Sequence, residues 1–140
     1  MRKEFLGKYK AIVTDINDPE KRGRIKVKCP AVTGDNNTNW CEACVPFGEF
    51  SFPSLGEGVW IEFEKGDTSS PIYVGYWFGK DQVPTSEQSG KTRVIHFNDN
   101  KIIMNEIVRI MTKDGTIVDI KNGSIYINGV AVALVTQLPS

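Results

Sequence analysis

The sequence predicts an all-β protein, and three observations carry that expectation. Gly and Pro punctuate the chain about every ten residues. Between them lie short runs that alternate apolar with polar residues or are rich in Val, Ile, Tyr and Phe, which favour extended backbone. Almost nothing reads as helix.

The first strand runs from Tyr9 to Ile16 and ends at Asn17-Asp18-Pro19-Glu20, where Asp before Pro favours a turn. The second, Arg22 to Cys29, alternates so that Ile25, Val27 and Cys29 face inward and Arg24, Lys26 and Lys28 outward. A polar loop, Thr33 to Asn39, leads to a third strand from Trp40 to Phe47, and a loop rich in Phe and Pro follows from Gly48 to Gly56. The fourth strand, Glu57 to Glu64, sets Val59, Ile61 and Phe63 opposite Trp60, Glu62 and Glu64. Lys65-Gly66-Asp67-Thr68 then turns the chain, with Gly66 giving a permissive backbone and Asp67 a local hydrogen bond, into the fifth strand, Pro71 to Phe78. Five short strands of this kind suit a small closed or nearly closed barrel, in the first place an oligonucleotide/oligosaccharide-binding (OB) barrel over residues 1–79.

Residues 80–92 are polar and unpatterned and read as a linker to a second unit, 93–140. There the strand-length runs are Arg93 to Phe97, Lys101 to Met111, Thr116 to Lys121, Ser124 to Asn128 and Val130 to Val135. Asp114-Gly115, Asn122-Gly123 and Asn128-Gly129 supply turns. From Thr116 to Val135 twelve of twenty residues are Ile, Val, Leu, Tyr or Ala, which leaves little room for a wet face. If about six of these stayed exposed in a lone chain, roughly 10 kcal/mol of burial would be forgone, comparable with the net stability of a domain. Three intertwined copies would bury one side of every strand and leave no open sheet edge. The expected core of such a trimer is Ile117, Val118, Ile120, Ile125, Ile127, Val130, Val132 and Leu134. The alternative is a meander packed back onto the barrel.

Seventeen basic and seventeen acidic residues cancel, so no global field draws the chain to nucleic acid or an anionic membrane. The start, MRKEFLGKYK, lacks the apolar core of a secretory signal, and an origin in a cytoplasm is expected. Cys41-Glu42-Ala43-Cys44 invites a metal or redox reading. On a strand, however, the two thiols point to opposite faces, and His96 is the one histidine, so buried structural thiols are the preferred reading and no metal or cofactor is expected. His96 has no nucleophile or acid at a telling spacing. Asp18 with Glu20, and Asp114 with Asp119, are explained by turns. No helix follows Lys65-Gly66-Asp67 to make it a phosphate loop. No catalytic set emerges.

The segments YKAIVTDINDPEKRGRIKVKCP, NWCEACVPF and FPSLGEGVWIEFEKGDTSSPIYVGYWFG resemble, in that order, the OB domain of the central spike of contractile tails. That family comprises phage baseplate spike proteins and the related type VI secretion spikes. The resemblance implies a non-enzymatic homotrimer in a phage tail baseplate or phage-like particle. Its OB domains would sit on a baseplate hub protein, and its C-terminal strands would wind into a short β-helix or β-prism that pierces the host cell envelope when the sheath contracts. A small tip protein capping the apolar end is a further expectation. Two departures are visible. Many members carry Gly-His-hydrophobic where the needle begins, and here the stretch is Arg93-Val94-Ile95-His96-Phe97. Some carry an iron-binding His-x-His at the apex, whereas Val135-Thr136-Gln137-Leu138-Pro139-Ser140 has none, so no apical iron is expected. Thirteen linker residues leave no space for the lysozyme-like domain of large members.

One run remains, Lys21-Arg22-Gly23-Arg24-Ile25-Lys26-Val27-Lys28, five basic residues in eight. OB modules for single-stranded nucleic acid join such a groove to stacking aromatics. Here Trp40 neighbours Glu42, and Trp60 lies between Glu57 and Glu62, which puts acid where phosphate would lie. A solvated strand face, or a partner-docking surface formed by Arg22, Arg24, Lys26 and Lys28, is preferred, with nucleic-acid binding as the alternative function.

Overall fold

The computed structural model describes residues 3–83, 90–134 and 136. Most of the stretch 135–140, where the absent iron motif was sought, and part of the expected linker lie outside these residues. The chain divides into two compact units, Met1–Gln82 and Val83–Ser140.

The first unit is a curled five-stranded sheet. Its strands are β1 (Tyr9–Asp15), β2 (Lys26–Lys28), β3 (Glu42–Ala43), β4 (Gly58–Phe63) and β5 (Pro71–Tyr76), in the order β2-β1-β4-β5-β3. All neighbours are antiparallel except β3 and β5, which pair in parallel through Glu42/Ile72 and Ala43/Tyr73. Ile25 and Cys41 exchange backbone hydrogen bonds at 3.2 and 2.6 Å, which carries β3 back to β2 and closes the ring. The alternation read from sequence is what fills the barrel: Ile25, Val27, Cys29, Cys41, Val59 and Ile61 are fully buried. Phe63 and Tyr73 complete the core, and the Tyr73 hydroxyl donates to the Gly23 carbonyl at 2.6 Å. A single helical turn, α1 (Pro30–Thr33), follows β2, and a 3-10 turn, Glu64–Gly66, joins β4 to β5. In that second turn Lys65 and Gly66 adopt positive φ, and the Asp67 carboxylate accepts from the Ser69 amide at 3.0 Å. The third strand is shorter than Trp40 to Phe47. Its last tie to the sheet is the Cys44 amide on the Tyr73 carbonyl, beyond which Pro46 has no N–H to offer a neighbour.

The second unit is an antiparallel meander of β6 (Arg93–Phe97), β7 (Asn100–Met104), β8 (Val108–Met111), β9 (Ile117–Lys121), β10 (Ser124–Ile127) and β11 (Val130–Ala131), paired in chain order. The run Lys101 to Met111 is thus two strands, not one. Asn105 makes the corner: its amide donates to the Ile107 carbonyl and its side-chain oxygen accepts from the Ile107 amide. Asn98-Asp99, Asn122-Gly123 and Asn128-Gly129 all have positive φ at both positions, the backbone of tight hairpins that match strand twist.

Candidate functional site

Directly paired residues of an antiparallel sheet share a face, so the meander's register decides which side chains stand together. One row crosses all six strands as Ile95, Ile102, Ile110, Val118, Ile127 and Val130. The next row on the same face starts at Arg93 on β6 and continues through Met104, Val108, Ile120 and Ile125, extended by Val132, whose amide donates to the Ile125 carbonyl at 2.8 Å. Apart from Arg93 at the β6 edge, this face is apolar throughout these two rows and it is wet: Ile95 is 52 %, Ile120 48 % and Val130 70 % exposed.

The opposite face carries the charge. Arg109 on β8 and Asp119 on β9 are directly paired and form a two-pronged ion pair at 2.6 and 2.9 Å, while Lys121 lies 3.9 Å from the same carboxylate. Tyr126 flanks Asp119 on the other side and receives the Lys121 ammonium over its ring at 4.9 Å. Under this cover Asp119 is 4 % exposed, and the Arg109 guanidinium holds its carboxyl below the usual carboxylate range. The segment is therefore two-sided, contrary to the reading that little room exists for a polar face.

Of the residues expected at a trimer core, Val118, Ile120, Ile125, Ile127, Val130 and Val132 share the apolar face. Ile117 pairs with Met111 and stands on the opposite face with Asp119, and Leu134, exposed, lies past the last strand. Sequence reading missed the contribution of β6 to β8 to the same surface. The alternation Ile95/Phe97, Ile102/Met104 and Val108/Ile110 was its signal, obscured by reading residues 101–111 as a single strand.

The basic run of the barrel is largely neutralised within the chain. Asp18 accepts from the backbone amides of Glu20, Arg22 and Arg24 and binds the Arg24 guanidinium at 2.8 to 3.2 Å. These contacts, the guanidinium above all, hold the Asp18 carboxyl far below the usual range. Arg24 also pairs with Glu20, Arg22 with Glu42 at 2.6 Å, and Lys28 with Asp35 at 2.9 Å. Lys26 and Arg24 sit over the Trp40 ring, at 5.0 and 5.8 Å from its centre. Of the four expected docking residues only Lys26 and Lys28 lie on β2, which is shorter than the expected Arg22 to Cys29, while Arg22 and Arg24 belong to the turn before it; Arg22, Arg24 and Lys28 are ion-paired and Lys26 is stacked on Trp40.

Cys29 and Cys41 are buried, and Cys44 is exposed. Burial pushes the Cys41 thiol up to about 11 and raises that of Cys29 as well, so both are protonated at neutral pH. Among the described residues no group of three or more His, Cys, Asp or Glu side chains is placed to hold a metal ion. His96 is exposed on β6, and no helix among these residues is long and apolar enough to cross a membrane.

A curled five-stranded barrel with this strand order, its ring completed by the Ile25–Cys41 bridge, defines a module of the OB class. The family model for the type VI secretion system/phage-baseplate injector OB domain matches residues 9–78, and the chain belongs to that family of baseplate components. No curated protein matches the sequence.

Proposed function

We propose that the chain is the central spike of a contractile phage tail or related injector. Three copies wind their C-terminal sheets round a common axis with the apolar face inward, as a β-prism or β-helix. The observation that carries this reading is the wet two-row apolar face of the meander. Burying the exposed half of about ten such side chains is worth roughly 1 kcal/mol each, or about 10 kcal/mol per chain, as much as a domain's whole net stability. Three sheets placed edge to edge would also pair β6 and β11, the two open edges of the lone sheet. The Arg109–Asp119 pair would then lie on the outer surface, where the remaining donors meet water.

The work of such a body is mechanical. Sheath contraction drives the needle into the cell envelope, and strands shared among three chains resist being peeled one at a time. The OB units sit on the baseplate hub protein, and a small tip protein caps the apolar end. The internal ion pairing of Arg22, Arg24 and Lys28 supports this role over single-stranded nucleic-acid binding, because cations already paired release few counterions on meeting phosphate.

The test is counting and locating the chain in intact tail particles. Three copies per particle, labelled by antibody on the axis at the distal end of the baseplate, are expected. A label elsewhere, or a copy number that is not a multiple of three, removes the proposal.

A further inference from the structure

The barrel unit carries its own exposed apolar surface, separate from the meander. After β3 the tight turn Pro46–Glu49, closed by the Glu49 amide on the Pro46 carbonyl with Gly48 at positive φ, holds Phe47 fully out in solvent. Phe50 is 78 % exposed and stacks on Phe52, with ring centres 6.0 Å apart. The loop is fixed to the barrel. Ser51 and the Tyr76 hydroxyl lie 3.3 Å apart, and Phe50 lies close against Gly23. Leu55 and Phe78 are exposed as well. A rigid loop that shows this many large apolar groups marks an interaction surface. Glu49 is the acid in its middle, and among the described residues it has no ion-pair partner.

A second surface on the same unit fits it. On the outer wall of β1 and β4, Lys10 is paired with Trp60, and its ammonium lies 5.6 Å from the Trp60 ring and 5.0 Å from the Trp77 ring. Ile12, two residues on, is on the same wall and exposed. Among the described residues Lys10 has no acid partner. One patch is apolar with a carboxylate, the other aromatic with an ammonium, and neither charge is ion-paired among the described residues. Two different patches that complement each other on one subunit are what a head-to-tail ring requires.

We propose that the OB units of neighbouring copies lock head to tail, with the Phe47–Glu49–Phe50 loop of one seated on the Lys10/Trp60/Trp77 wall of the next. The inference rests on the trimer reading above. Once the C-terminal halves are joined, each OB unit is held near two others at high effective concentration, so even a modest contact is made.

The test uses two full-length chains, Glu49→Cys and Lys10→Cys, both with Cys44→Ser to remove the exposed native thiol. Each is treated with a short thiol-to-thiol crosslinker alone and after the two are refolded together. Crosslinked dimers from the mixture, and none from either chain alone, are expected. In parallel, hydroxyl-radical labelling of the unaltered oligomer should modify Phe47 and Phe50 about tenfold more slowly than their single-chain exposure implies. A native mass of three chains with no crosslink and rapid labelling overturns this contact while leaving the trimer standing. A single-chain mass removes both. Labelling that is rapid in the free oligomer but suppressed in assembled particles assigns the loop to a different baseplate subunit and likewise overturns the proposal.

Discussion

Ile120 stands in the middle of the apolar face, between Val108 and Ile125, and is about half exposed in the single chain. Ile120→Asp separates the two possible fates of that face. If the face stays in water, the substitution costs no more than the β-propensity difference, about 1 kcal/mol, and the solution mass is unchanged. If three copies close on it, each chain forgoes about 1.5 kcal/mol of burial and places an unpaired carboxylate near two others, at several kcal/mol apiece. The sum exceeds about 10 kcal/mol per trimer, or roughly seven powers of ten in the association constant. Size-exclusion chromatography with light scattering reads the result directly, and circular dichroism checks that the strands persist. Ile117→Thr is the control, since Ile117 faces the other way and should leave the assembly intact. A variant Ile120→Asp that elutes with the mass of the unaltered oligomer would refute the reasoning.

Three further outcomes follow from the barrel. Asp18 holds the β1–β2 turn, and because its folded-state value is depressed, its stabilisation is complete above the ordinary carboxylate value near 3.8 and fades only as pH falls toward the lower folded value. Asp18→Asn should therefore speed exchange of the Arg22 and Arg24 amides at neutral pH by about tenfold or more, and unchanged protection would contradict the role given to the carboxylate. Gly58→Ala puts a methyl group where the Trp77 ring lies; the ring must swing off the sheet and release its hydrogen bond to the Ala11 carbonyl, costing about 1 to 3 kcal/mol and shifting Trp fluorescence to the red. In the reduced native protein a thiol reagent at mildly alkaline pH should modify Cys44 first, with Cys29 and Cys41 reacting only on unfolding, because burial disfavours their thiolates; mass spectrometry of the labelled peptides decides.

The barrel was largely legible because its strands obey period two with clean punctuation. Val59, Ile61 and Phe63, and Ile25, Val27 and Cys29, needed only alternation to be placed inside. Interactions between distant segments were not legible. Arg22 meets Glu42 across twenty residues, and Asp18 folds back on Arg24 through a turn whose sequence advertises only Asp before Pro. The basic run therefore looked more available than it is. In the second unit the reverse held, since apolar residues are so dense that period two was hidden. The Asn105 corner carries no Gly or Pro, and without it the strands on either side could not be assigned faces. The exposed Phe47 was read as the end of the third strand and Phe50 as a loop residue, because sequence alone shows neither where that strand leaves the sheet nor which Phe in a loop turns inward.

The mass of the unaltered full-length chain in solution, at the dilution used for biochemical work, tests the central claim most directly. Three wound copies give about 47 kDa, three times the 15.6 kDa of one chain, and the value should hold on further dilution. A stable species of 15.6 kDa with its C-terminal strands folded would contradict the spike.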